Sequence, residues 1–110
     1  MLGRTTRVLE RNPMSIFALT YVYGGPQEVL AEHRPAHRAY LRELNEQGRN
    51  LASGPLGDDA ALIVFSADSP QEVEEIVAKD PLVVHGAVTE HEIRPWNVTI
   101  GSVSGASQDS

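Results

Sequence analysis

The stretch Ala60–Pro81, AALIVFSADSPQEVEEIVAKDP, carries the two signals that decide the fold. Its first part, Ala60–Ser66, is a short apolar run rich in β-branched and aromatic residues, which reads as a strand. Ser69, Pro70 and Glu72 follow as N-cap, first helical residue and N3, the S-x-x-E capping box with a proline where a missing N–H costs nothing. Val73, Ile76 and Val77 then recur at helical spacing as a buried stripe. The helix must stop at Lys79-Asp80, because the residue before Pro81 is pushed out of the α region.

Upstream, Gly57-Asp58-Asp59 is a turn and Asn50–Ser53 a short strand ended by Gly54-Pro55. A helix is expected from Pro35 to about Gln47, stopped by Gly48 as a C′ residue, with Tyr40, Leu41 and Leu44 as its apolar stripe. Pro35 lacks an N–H and its ring crowds the preceding turn, so Arg34-Pro35 should break any helix arriving from Gln27–His33. Ile16–Tyr23, IFALTYVY, is the first strand, ended by Gly24-Gly25-Pro26. Downstream, Ala87–Arg94 is the last strand, closed by Pro95-Trp96. The order β-α-β-β-α-β with right-handed crossovers is an α+β, ferredoxin-like split βαβ unit, with both helices on one face of an antiparallel sheet. Nothing in the chain covers the other face, so a homodimer that packs two such faces together is expected.

The chain has 110 residues, a formal charge of −6, a sequence pI near 5.1, 41% hydrophobic residues and no cysteine. That length suits one domain. The acidic balance argues against nucleic-acid binding, which needs a basic stripe to neutralise phosphates. Without cysteine there is no disulfide, thiolate nucleophile or thiolate metal site. No apolar run reaches about 18 residues, so no membrane span is expected, and the charged first 13 residues do not read as a signal peptide. A cytoplasmic location is the expectation. Charge is uneven: Arg4, Arg7 and Arg11 against Glu10 give residues 1–13 a charge of +2, leaving −8 on residues 14–110. Three segments follow: a basic, flexible arm over 1–13, an α+β domain over 14–100 and a disordered polar tail over 101–110. Met14, at the head of the first strand, is a second candidate start.

Four residues are candidates for chemistry. Asp80 sits at a helix C-terminus, where the macrodipole disfavours a carboxylate by roughly 0.3–1 kcal/mol. Either it serves the turn by bonding local N–H groups, or it orients an imidazole. His37, four residues before Leu41 and on the apolar side of its helix, is the candidate imidazole. Paired with Asp80 it would be a base of fixed tautomer; alone it would be a core or boundary residue. Arg34, near a helix start, suits a substrate carboxylate or enolate, or a surface pair with Glu28 or Glu32. Ser53, beside Gly54, offers a hydroxyl where the backbone permits close approach, or is a simple turn residue. His33, His85 and His91 show no metal-ligand spacing, so neither a metal nor a cofactor is expected.

Arg34-Pro35-Ala36-His37, Leu41, Leu44, Gly48 and Ser53-Gly54-Pro55-Leu56 resemble the first half of the YciI-like (YCII-related) family. Asp80-Pro81, Val83, Gly86 and Arg94-Pro95-Trp96 resemble its second half, so the likeness spans about Ile16 to Trp96. It implies a dimeric α+β barrel of ferredoxin-like subunits and an active site with a histidine–aspartate pair, which falls here on His37 and Asp80. His85 departs from the small or apolar residue usual at its position.

The resulting expectation is a small, cofactor-independent lyase or isomerase acting on a small organic substrate. Asp80 holds His37, His37 moves a proton, Arg34 and Ser53 steady negative charge, and Tyr21, Tyr23 and Trp96 wall an apolar pocket. A non-enzymatic dimeric module that binds a small ligand is the alternative, and a haem or metal oxygenase a third reading.

Overall fold

The computed structural model describes residues 15–103. The expected arm, the candidate start at Met14 and positions 104–110 of the expected tail lie outside them. The elements are β1 (Ser15–Val22), α1 (Gln27–Glu46), β2 (Asn50–Leu56), β3 (Ala60–Ala67), α2 (Pro70–Ala78), α3 (Pro81–Val84) and β4 (Glu90–Pro95). The four strands form one antiparallel sheet in the order β2-β3-β1-β4. This is the ferredoxin-like α+β arrangement expected from the order of elements, and it is the subunit fold of the dimeric α+β barrels.

Alternation along β1 sends Phe17, Leu19 and Tyr21 to one face, joined across the sheet by Ala61, Ile63 and Phe65. Leu41 and Leu44 of α1 and Val73, Ile76 and Val77 of α2 pack on that face and complete the core. Tyr40 ties the two helices together by donating to the Ile76 carbonyl at 2.9 Å. The opposite face presents Ala18 and Thr20 of β1 against Val64 and Leu62 of β3.

The start of α2 is built as its sequence dictates, with one change. Ser69 Oγ accepts from the Glu72 N–H at 3.3 Å, but the Glu72 carboxylate reaches back to the N–H of Asp68, one residue beyond the cap. Its second oxygen takes a salt bridge from Arg49 at 2.9 Å. Gly48 has φ +79 beyond the end of α1, and Gly57 has φ +68 in the β2–β3 turn, both conformations that favour glycine.

Three boundaries differ from the local reading. α1 is one continuous helix of 20 residues with Pro35 inside it. Interior proline costs roughly 3 kcal/mol by removing a hydrogen bond and crowding the previous turn. Here the carbonyl it leaves without a partner belongs to Ala31, an exposed residue that water reaches. Tertiary contacts offset the rest: the second half carries the buried His37, Leu41 and Leu44, and in the first half His33 stacks on His85 with ring centroids 3.7 Å apart. Second, β2 runs through Gly54-Pro55 to Leu56. It is an edge strand, where a proline without an N–H breaks no ladder bond on the open side. Third, a short helical turn, α3, follows Asp80, so the last strand begins at Glu90 rather than Ala87.

That turn also corrects the electrostatic reading of Asp80. The residue follows the C-terminus of α2, but it is the N-cap of α3, and its Oδ1 accepts from the Leu82 N–H at 3.0 Å. A carboxylate is favoured at a helix N-cap.

Candidate functional site

His37 lies on the buried stripe of α1, and Asp80 at the junction of α2 and α3, beneath the helix layer. Packing α1 against that junction brings them together across 43 positions of sequence: His37 Nδ1 is 2.8 Å from Asp80 Oδ2 and 2.9 Å from Oδ1. Both are buried, His37 at 7% exposure and Asp80 at 1%. From β1, the hydroxyl of Tyr21 donates to Asp80 Oδ2 at 2.8 Å. The carboxylate thus accepts from an imidazole, a phenol and a backbone N–H, which satisfies a buried group that would otherwise be costly.

Burial first, and the Asp80 carboxylate second, push the Tyr21 phenol well above the usual tyrosine range, so it stays a protonated donor. Below about pH 10 the hydroxyl keeps its proton whether the chain is folded or unfolded. Above that pH the unfolded chain releases it and the folded chain does not, so stability falls as pH rises. Equilibrium unfolding at pH 9, 10 and 11 checks this: Tyr21→Phe is expected to be less stable than the parent at pH 9. Its further loss with pH should be shallower, by up to one proton equivalent. A parallel decline in both proteins would refute the assignment.

Because a carboxylate only accepts, the hydrogen shared with His37 belongs to Nδ1, and in the neutral imidazole the lone pair is then on Nε2. Nε2 makes no hydrogen bond among the described residues and is not sealed from solvent. His37 lines a cleft of about 860 Å³ between α1 and the β2–β3 hairpin. Arg34 and Ser53 line the same cleft, so three of the four residues singled out in the sequence share it, with Asp80 supporting His37 from behind. Neither Arg34 nor Ser53 is hydrogen-bonded to His37. The Arg34 guanidinium lies 5.9 Å from the centroid of the Tyr23 ring, a cation–π contact, rather than against Glu28 or Glu32. Burial raises the Tyr23 phenol while Arg34 and, more weakly, Arg38 oppose the rise.

Of the three expected wall aromatics, only Tyr23 lines the cleft. Tyr21 is in the core holding Asp80, a role its sequence position hinted at, since a tyrosine alternating with Phe17 and Leu19 must bring a partner for its hydroxyl. Local reading also missed Arg38 and Arg42, which join Arg34 on the cleft wall, and Asn50. Asn50 is 4% exposed; its Nδ2 donates to the Leu41 carbonyl at 3.3 Å, and its Oδ1 has no partner among the described residues.

The other histidines are placed elsewhere. His33 and His85 stack with their planes 3° apart, so their ring nitrogens point along parallel planes instead of converging on an ion. His91 meets Glu74 at 2.9 Å on the surface. Among the described residues no three His, Cys, Asp or Glu side chains form a metal-holding group, and no helix is long and apolar enough to cross a membrane.

Residues 14–97 match the YCII-related domain, most of the chain and all seven elements. The chain belongs to the YCII-related family. Among solved structures it is similar to 5-chloro-2-hydroxyhydroquinone dehydrochlorinase (TftG) from Burkholderia phenoliruptrix, determined in complex with 2,5-dihydroxybenzoquinone. The TM-score is 0.66 at 24% sequence identity, over 74% of this chain and 93% of that one, which establishes a shared fold. No curated protein matches the chain. The buried His37–Asp80 pair lies within the residues that match this family.

Proposed function

We propose that the protein is a cofactor-independent lyase or isomerase that moves a proton on a small organic substrate, with His37 as general base and acid. One observation carries the reading: a buried carboxylate holds Nδ1 of an imidazole whose other nitrogen is engaged by no described residue and whose ring lines a cleft of small-molecule size. Asp80 fixes the tautomer that leaves Nε2 basic and balances the positive charge that develops when Nε2 takes a proton. Tyr21 and the Leu82 N–H hold the carboxylate so that its orientation toward the ring is set before substrate arrives. Arg34 and Ser53, on the cleft wall, steady negative charge that builds on the substrate as the proton leaves. The fold-sharing dehydrochlorinase favours elimination within this class, since loss of hydrogen chloride begins with, or includes, removal of a proton.

The reading extends to assembly and location. The sheet face opposite the helices has Val22 at 41% and Leu56 at 48% exposure, which supports a homodimer built on that face. A cytoplasmic location is part of the same proposal.

The test is chloride release from chlorinated hydroxyhydroquinones, together with deuterium uptake from solvent into enolisable hydroxyquinones. Wild-type protein is expected to give one or both, and His37→Gln neither. Saturable binding of these compounds with no chloride release and no deuterium uptake would replace the proposal with the ligand-binding module.

A further inference from the structure

Arg34, Arg38 and Arg42 recur every four residues along α1, a spacing that sets them in one row on the helix. All three line the cleft that holds His37. Like charges in such a row repel, and in an acidic chain the usual remedy is a nearby carboxylate, as Glu72 supplies for Arg49. Among the described residues none of the three has a carboxylate within salt-bridge distance. Among the described residues Asp58 is the single acidic one in the cleft lining, although the whole chain carries −6. Three of the chain's nine cationic side chains are therefore gathered on one wall of this cleft, beside an imidazole whose Nε2 is engaged by no described residue.

From this row we infer that the cleft takes a small organic anion, a carboxylate or an acidic enol in its ionised form, whose negative group is received by Arg38 and Arg42. A guanidinium presents a planar fork of N–H donors that matches a carboxylate or the paired oxygens of an enolate. With the anion held by Arg38 and Arg42, the rest of the molecule lies toward His37, the residue before Arg38, and Arg34, one turn nearer the start of the helix. A cleft of about 860 Å³ holds a molecule of one or two rings rather than a macromolecular strand. Arg38 and Arg42 are thus specificity-determining residues, distinct from the pair that moves the proton. The inference deepens the proton-transfer reading and rests on it only in taking the bound anion to be the substrate.

Binding, not turnover, tests it. The arginine side-chain Nε–H signals of full-length protein are followed by NMR during titration with benzoate, benzene-1,4-dicarboxylate or inorganic phosphate, and with benzene-1,4-dicarboxamide as the neutral counterpart. At least one of the anions is expected to give saturable shifts of the Arg38 and Arg42 signals, weakening as ionic strength rises from about 0.05 to 0.5 M. The paired substitution R38Q/R42Q should weaken that binding by about tenfold or more, while H37Q should retain it. Equal binding of the dicarboxamide, unchanged affinity in R38Q/R42Q, or no saturable shift with any of the three anions would overturn the inference. The two proposals fail separately: loss of turnover in H37Q with charge-independent binding sinks the anion site alone. Arginine-dependent anion binding with full turnover in H37Q sinks the proton-transfer role alone.

Discussion

Replacing Asp80 with alanine is expected to lower folding stability by about 3–5 kcal/mol, the range for breaking a buried pair by removing one partner. Three donors lose their acceptor at once: the His37 ring, the Tyr21 hydroxyl and the Leu82 N–H. Each buried donor left without a partner costs about 1–3 kcal/mol, and loss of the N-cap of α3 falls within the same deletion. A domain of this kind has about 5–15 kcal/mol in total, so the variant should melt on the order of 15 °C lower, if it folds at all. Asp80→Asn keeps the shape and one carbonyl oxygen to accept with, but turns an NH₂ toward a group that also donates. Its expected loss is smaller than alanine's and still above about 1 kcal/mol. Urea unfolding of both variants checks the ordering. A loss below about 1 kcal/mol for Asp80→Ala would mean that the three donors find other partners, and that the pair is not what holds His37 in place.

The second large effect is on rate. With a substrate identified by the assays above, His37→Gln is expected to lower kcat by about 10²–10⁴-fold, the usual contribution of a positioned general base. Asp80→Asn should fall in the same range without touching substrate, because an amide can present a donor to Nδ1 and so favour the tautomer with hydrogen on Nε2, the wrong nitrogen for a base. The two residues act as one unit, so the double variant should be little slower than His37→Gln alone. Multiplying effects would show that Asp80 contributes by a route other than His37. A kcat in folded His37→Gln within about threefold of wild type would remove His37 from the chemistry. Tyr21 tests the positioning of Asp80 in turn: Tyr21→Phe keeps His37 and Asp80 in contact, and a fall in kcat with unchanged KM would separate a positioning role from a purely structural one.

The site was legible in pieces. His37 stood out because it falls in step with Leu41 and Leu44, and Asp80 because it interrupts the end of a helix, while the resemblance to the YciI-like family joined them. Alternation along β1 assigns Tyr21 a face and not a partner, which is compatible with a cleft wall; its hydroxyl finds Asp80 59 positions away in sequence. The arginine row was hidden by the expected break at Pro35, which separated Arg34 from Arg38 and Arg42. Once α1 is continuous, the three fall into one line.

By itself the sequence determined the type and order of the main elements, and through them the ferredoxin-like fold. Those signals are local: the Ser69-Pro70-Glu72 start, the β-branched runs of β1 and β3, and Gly48 beyond the end of α1 each act within one or two turns of chain. The tertiary structure alone decided that α1 continues through Pro35 and that β2 continues through Gly54-Pro55. It also decided that Tyr21, His37 and Asp80 meet. In each case the deciding energy comes from partners far away in sequence: an α1 stripe buried on the sheet, an edge position that spares a proline's missing N–H, and a carboxylate buried where two distant donors, the His37 ring and the Tyr21 hydroxyl, converge. No window of neighbouring residues contains those terms, which arise only when the layers pack.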